Sequence, residues 1–325
     1  MTKAISHAVP TTAIRAAAKQ KGAVLMLLAA AFFWGSGNVA NKSVLQDLDP
    51  FAAATLRNLV AAVVLVPFAW RELGRVVERR LWLRSAMPPS GLFAAAIVLQ
   101  QWGYQSATVT NASFLVNAAT VVTPIIAYFV LKERLHGGIG FAAAMTLIGA
   151  FLMSGAGRSL SVMNTGDIAC LVSAVFYGGW MVALSQHAVR HDSPAATTCL
   201  HCLMAVGLAG GIFVGFAPHQ PGTVAGGMVE LLYLGIVSSA LAFGLTAAAQ
   251  AHVPASTAAV LVAAESLFGA AGGILVLGER PGAIAICGAG LMLVGILIVA
   301  RLPMAACRPV AAVTLQPLAE KGTTR

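Results

Sequence analysis

Apolar residues along this chain come in runs of about 20, separated by short segments in which charged residues, prolines and turn formers gather. A helix of that length crosses a hydrocarbon core of about 30 Å. The pattern predicts ten spans, over residues 22–41, 51–70, 89–107, 112–131, 137–155, 167–185, 194–216, 228–248, 254–277 and 282–300. The longest connection, residues 71–88, is too small for a folded domain. The expected fold class is therefore an all-α integral membrane protein of ten transmembrane helices.

Composition agrees with this reading. Of 325 residues 58% are hydrophobic and 10% charged, and the mean hydropathy of +0.84 is far above that of an ordinary soluble domain. The net charge of +9 does not point to nucleic acid, because the basic residues sit in short loops and tails without interleaved aromatics. It points to orientation instead. With the N-terminus in the cytoplasm, all 20 basic residues except Lys42, Arg158, Arg280 and the intramembrane Arg57 fall on the cytoplasmic side, as the positive-inside rule requires. Residues 1–21 followed by apolar Ala23–Phe33 imitate a signal peptide, but the run continues through Trp34, Gly35, Ser36, Gly37 and Asn38 with no convincing cleavage site, so a retained first span is expected. Cys170, Cys199, Cys202, Cys287 and Cys307 lie in or just after apolar segments, which argues against a disulfide framework; the Cys199-x-x-Cys202 pair reads as two small residues one turn apart.

The chain repeats itself. Leu131-Lys132-Glu133-Arg134 closes span four and Leu277-Gly278-Glu279-Arg280 closes span nine, 146 residues later, while Pro50, Leu56 and Arg57 match Pro194, Leu200 and His201 at a spacing of 144. Each repeat holds an odd number of spans, so the second enters the membrane in the opposite sense. The expected organisation is a cytoplasmic tail (1–21), two inverted five-helix repeats (22–156 and 166–300) and a second cytoplasmic tail (301–325).

Several short stretches carry a resemblance: Phe33-Trp34-Gly35-Ser36-Gly37-Asn38, Leu56-Arg57, Phe114-Leu115 through Val121-Val122-Thr123-Pro124 to Glu133, Gly166-Asp167, Tyr233 to Ser239, and Glu265 before Glu279. Together they resemble EamA-type members of the drug/metabolite transporter superfamily over roughly residues 22–300. The resemblance implies a multi-pass protein of the bacterial inner membrane that moves amino acids, nucleobase-like compounds, amphiphilic drugs or other small metabolites, usually outward, driven by an ion gradient such as protons or by exchange. It implies no cofactor and is not an enzyme's pattern. The family's Glu-Pro is Glu265-Ser266 here, and without that proline span nine is expected to run straighter.

Ionisable groups inside hydrocarbon are costly and usually face a cavity or a partner. Glu265 falls near the midplane, where a carboxyl suits a cationic substrate group or a transported proton, or else a structural hydrogen bond between helices. Arg57 suits a substrate carboxylate or, with somewhat more weight, an ion pair or a tether to backbone carbonyls of neighbouring helices, and His201 is its counterpart in the second repeat. Trp34, Asn38, Gln101, Asn117, Tyr177 and Trp180, with Gln100, Ser238 and Ser239, add the aromatic and amide groups that line sites for small amphiphiles. Trp102 and Tyr104 fit an outer aromatic belt. The pairs Gly207/Gly211 and Gly269/Gly273 read as helix-packing notches. His187 and His191 fall in a polar loop with no acidic partner suited to catalysis, which counts against an integral-membrane enzyme. A channel or accessory subunit remains the other alternative, and a homodimer stays open. The partners expected are a small-molecule substrate and the lipid bilayer.

Overall fold

A computed structural model of the chain describes residues 11–107, 109–133, 137–154, 163–216, 227–278 and 280–302. Arg134, Arg158, Glu279, Cys307 and residues 1–10 and 303–325 of the two tails lie outside them. The described residues are almost entirely helical. In order they form α1 (Thr11–Asp47), α2 (Pro50–Leu73), α3 (Arg79–Gly103), α4 (Val109–Asn117), α5 (Ala119–Leu131), α6 (Gly137–Ser154), α7 (Thr165–Arg190) and α8 (Pro194–Phe216). There follow α9 (Met228–Tyr233), a π-helical stretch (Leu234–Leu241), α10 (Ala242–Ala249), α11 (Ala255–Val262), α12 (Glu265–Leu277) and α13 (Ala283–Arg301). Spans four, eight and nine are each built from more than one segment. Among the described residues nine helical stretches are long and apolar enough to cross a membrane. The remaining span, α3, is 25 residues long but carries arginines at one end and Gln100 and Gln101 at the other. It begins ten residues before the span expected from hydropathy, because the arginine-rich start is helical too.

The two halves repeat one another in detail. α5 and α12 are both 13 residues long and start 146 positions apart, at Ala119 and Glu265. Both end on a left-handed residue, Lys132 (φ 54°) and Gly278 (φ 66°), whose backbone N–H closes on the carbonyl five residues back. The halves do not sit side by side. The most extensive helix contacts all join one half to the other: α6 with α13, α2 with α8, α3 with α7 and α8, and α1 with α10 and α12. Ten spans leave both ends of the bundle's chain, Thr11 and Arg301, on one face, called the terminus face below.

Burial runs as lipid dictates. Side chains that face outward are large and apolar, such as Val63, Phe68, Phe129, Val214, Phe216, Leu275 and Ile284, while the interior is dominated by alanine. Lipid tails remove the usual hydrophobic drive between helices, so close approach through small residues and interhelical hydrogen bonds must hold the bundle. Gly35 shows how close: a Cβ there would lie 2.5 Å from the Glu265 carbonyl oxygen and 2.7 Å from the Gly269 nitrogen. Gly207 and Gly211, read from sequence as a notch, face open space with no atom within 4 Å of an added Cβ. That reading is corrected: the spacing is right, but among the described residues no helix lies against it.

Helix ends are satisfied across the bundle. Asp49 caps α2, accepting from the N–H groups of Phe51 (2.8 Å) and Ala52 (3.2 Å), and Glu72 at the end of α2 accepts from Ala196 N–H (2.8 Å) in the first turn of α8. Glu133 reaches Ser256 at the start of α11; burial raises its carboxyl above the usual range, and the hydrogen bonding to Ser256 offsets part of the rise. His187 is not in a loop as expected but buried in α7, with Nδ1 against Ser85 Oγ and Nε2 2.9 Å from Thr197 Oγ1. Cys199 and Cys202 are buried and unbridged.

Candidate functional site

Helix geometry puts residues i, i+3, i+4 and i+7 on one face, and on α1 that face carries Trp34, Gly37, Asn38 and Asn41. All four line one central cavity, a concave space with a few polar groups among apolar walls, as small-molecule sites have. Ile97, Gln100 and Gln101 of α3, with Tyr104 capping its end, form a second wall, Thr120 and Thr123 of α5 a third, and Tyr177, Trp180 and Met181 of α7 a fourth. Asn117 and Glu265 enter at the two places where spans four and nine are interrupted. Arg57, Ser238 and Phe243 complete the lining among the residues that carry chemistry.

The breaks are what admit polar groups at this depth. α11 ends at Val262 and α12 begins at Glu265, so Ala263 and Ala264 form a turn within the membrane, matching the turn at Ala118 between α4 and α5. The expectation of a straight span nine is thus corrected: the ladder breaks without proline. Where relatives of the expected pattern carry that proline, Ser266 Oγ accepts from Asn117 Nδ2 at 2.5 Å, joining the two breaks. Irregular backbone at membrane depth is tolerated where it lines a cavity.

Polar side chains around the cavity pair with each other in an ordered way. Glu265 Oε1 accepts from Asn38 Nδ2 at 3.4 Å. Tyr177 donates to Gln100 Oε1 at 2.6 Å, and Gln100 Nε2 donates to Tyr104 at 3.2 Å. Asn41 and Gln101 face each other amide to amide, at 3.3 and 3.5 Å. Arg57 donates through Nε to Ser239 Oγ (3.1 Å) and through Nη2 to Ser238 Oγ (3.3 Å), both on the π-helical stretch. That stretch also receives the Trp34 indole, whose Nε1 donates to the Ser238 carbonyl at 2.9 Å. Wide π turns of this kind recur at functional sites because they release backbone groups from the regular ladder. Neutral hydroxyls satisfy only part of a guanidinium, which has five donors.

Of the nine residues proposed from sequence, Trp34, Asn38, Arg57, Gln101, Asn117, Tyr177, Trp180 and Glu265 share this one cavity. His201 does not. It lies behind the wall, where its Nε2 accepts from Trp180 Nε1 at 3.1 Å and its ring meets Phe93 edge-on with centroids 5.2 Å apart. Its role is to hold the Trp180 ring, since an acceptor nitrogen in that position leaves a neutral imidazole. Tyr104 was expected in an aromatic belt and instead lines the cavity, whereas Trp102, two residues earlier, is 45% exposed on the outside. Sequence reasoning passed over Asn41, Thr120, Thr123 and Phe243. Threonine and phenylalanine are ordinary in membrane helices, and only Asn41, one turn beyond Asn38, offered a signal.

The floor of the cavity is aromatic. Phe243 sits between Trp34, Trp180 and Phe93, with centroids 4.8, 5.6 and 4.7 Å away. Below it, toward the terminus face, Leu27, Leu184, Gln250, Val253 and Leu261 are all buried and shut the bundle. Among the described residues no three His, Cys, Asp or Glu side chains come together as a metal site would need.

Known proteins match both the sequence and this architecture. The model of the EamA-like transporter family matches residues 21–155 and again residues 164–301. An uncharacterized transporter of Archaeoglobus fulgidus is 26% identical over 288 residues, covering 86% of each chain. The uncharacterized transporter YwfM of Bacillus subtilis is 22% identical, covering 86% of this chain and 94% of that one, and a chloroplastic WAT1-related protein of Arabidopsis thaliana is 25% identical over 84% and 68%. A crystal structure 19% identical to this chain superposes with a TM-score of 0.70 over 85% of this chain and 95% of that one, so the fold is shared. With two matched repeats that together span most of its length, this multi-pass membrane protein belongs to the EamA-like transporter family.

Proposed function

We propose that the protein is a secondary-active exporter of small zwitterionic or amphiphilic metabolites, working by alternating access around the central cavity. The observation that carries this reading is that a carboxyl, Glu265, and a guanidinium, Arg57, both face one cavity deep in a lipid-embedded bundle, with only neutral partners at hydrogen-bond distance. Charges are kept at such depth at a cost of a few kcal/mol, roughly 2.5–3.5 kcal/mol each on insertion scales, which function must justify. Arg57 is placed to take a cargo carboxylate and Glu265 a cargo ammonium or a coupling proton, while Trp34, Tyr177, Trp180 and Phe243 cover an apolar body. Comparing metabolites in medium and cytoplasm of cells with and without the protein tests the reading and names the cargo. Saturable flux of that cargo into liposomes holding the protein alone separates a transporter from a channel or an accessory subunit.

Removing the charge at Arg57 should weaken capture more than movement. With Arg57→Met the KM for a carboxylate-bearing cargo is expected to rise about 10- to 100-fold, since a hydrogen bond to a charged group contributes about 1.5–3 kcal/mol, with a smaller change in maximal rate. An unchanged KM would reduce Arg57 to a tether between α2 and the π-helical stretch.

The charge distribution supports an inner-membrane placement with both termini in the cytoplasm. Reporters fused at Lys132 and at Gly278 should report opposite sides of the membrane, and a reporter at Arg301 the same side as Lys132. A shared side for Lys132 and Gly278 would contradict the inverted orientation of the halves.

A further inference from the structure

The register between the halves tells what each cavity residue becomes when the halves exchange conformations. α1 and α7 end at Asp47 and Arg190, α3 and α10 at Gly103 and Ala249, and α5 and α12 at Leu131 and Leu277. Carried inward along each helix, these end points pair Trp34 with Tyr177, Asn38 with Met181, Ile97 with Phe243, and Ala119 with Glu265. Both members of every such pair line the cavity. These residues therefore lie about the pseudo-two-fold axis and face the ligand space whichever way the bundle opens.

On the side away from the termini, part of the pairing fails. Asn41, Gln100 and Tyr104 line the cavity on the side away from the termini. Their counterparts Leu184, Thr246 and Gln250 lie on the terminus side, 1%, 0% and 0% exposed. Gln250 is poorly suited to that burial. Its Nε2 donates to the Met181 thioether at 2.9 Å, a weak acceptor, and its Oε1 has no partner. Met181 is part of the cavity lining, so Gln250 lies one side chain below the ligand space. Buried amide oxygens are nearly always paired, and one left unpaired in an otherwise apolar plug fits a group that meets water or ligand in another state.

We propose that Gln250 and Thr246 line a second vestibule, shut in this structure, through which cargo passes between the central cavity and the terminus face, with Gln250 taking the place that Tyr104 holds on the side away from the termini. The inference rests on the alternating-access reading given above. The second vestibule differs chemically from the first. Arg57 corresponds to His201, whose Nε2 is held by Trp180. Next to the central cavity this side offers the Thr246 hydroxyl, the Gln250 amide and the apolar Leu184 and Leu261, with no counterpart of the Arg57 guanidinium, so this part of the vestibule suits neutral hydrogen-bonding groups and holds carboxylates weakly.

The test uses the full chain without its five native cysteines, carrying one cysteine at a time as Tyr104→Cys, Thr246→Cys or Gln250→Cys. A membrane-impermeant maleimide is added to one face of oriented membrane vesicles. Tyr104→Cys should react only from the face opposite the termini, and Thr246→Cys and Gln250→Cys only from the terminus face. Thr246→Cys is the milder change and covers the case in which Gln250→Cys does not assemble. Adding Gln250→Met to the Thr246→Cys chain removes the unpaired amide and favours the shut state, so the reaction at position 246 should slow at least five-fold; an unchanged rate would take Gln250 out of the wall. If positions 246 and 250 stay unreactive from the terminus face while Tyr104→Cys reacts from the other, the second vestibule is wrong and alternating access stands. If the reagent reaches Tyr104→Cys from both faces, the alternating-access reading falls and this inference with it.

Discussion

Glu265→Gln should cut gradient-driven transport at least ten-fold, equivalent to about 1.4 kcal/mol or more, while the protein still assembles. The substitution keeps the shape of the side chain and an acceptor for Asn38 Nδ2 but removes the titratable charge. Glu265 opens α12 at the break in span nine, so its carboxyl faces the cavity with the Asn38 amide as its hydrogen-bonding partner. A carboxyl that carries the coupling proton is needed for accumulation against a gradient and not for one-for-one exchange of cargo. The expected pattern is therefore loss of accumulation with exchange retained. Loss of both modes would assign Glu265 to a cationic group on the cargo instead. Unchanged rates with unchanged pH dependence would leave it a structural residue.

Gly35→Leu should prevent assembly or lower stability by about 3 kcal/mol or more, at the top of the range for overpacking. The nearest atoms to an added Cβ are the Glu265 carbonyl oxygen at 2.5 Å, the Gly269 nitrogen at 2.7 Å and Phe268 Cβ at 2.8 Å, and two of these are backbone that no rotamer change can move aside. The same contact sets the position of the Glu265 backbone, so a variant that survives should also transport poorly. Gly207→Ala and Gly211→Ala are the controls. With open space around both positions, removing a helix glycine should be neutral or stabilising by about 0.5–1 kcal/mol. Thermal unfolding in detergent separates the two sets, and equal losses at Gly35 and Gly207 would mean that the α1–α12 crossing is not as tight as described.

The fold was legible in the sequence because bilayer thickness imposes a length on every span and because basic residues mark the connections. The deep polar residues were legible for a related reason: Glu265, Arg57, Asn38 and Asn117 are costly in hydrocarbon unless something receives them. Composition could not say which way each one turns. Trp102 and Tyr104 are two positions apart on one helix and face lipid and cavity respectively, a difference of helical phase that a short polar cluster does not encode. His201 looked like Arg57's equivalent because depth is readable and layer is not. The break at Ala263 and Ala264 was hidden for another reason. Alanine is the best helix former, so nothing local asks for a turn there; tertiary contacts decide it, among them the Gly35 crossing at the Glu265 carbonyl and the Asn117 bond to Ser266.

The interleaving of the halves has a consequence for how the protein is made. α6 waits for α13, α2 for α8 and α1 for α12, so the first five spans leave the ribosome before most of their partners exist. At about 5–20 residues per second, that interval is on the order of ten seconds. During it, Arg57 has no Ser238 or Ser239 to bond, and Gly35 has no helix against it. The nascent half must stay inserted by hydropathy alone, shielded by lipid or by insertion machinery, with its polar groups unmet. Quality control acting in that window would see the same exposed polar groups in every copy. Chains stalled or truncated after α6 should be cleared rapidly, because the α6–α13 packing forms only when α13 is in place.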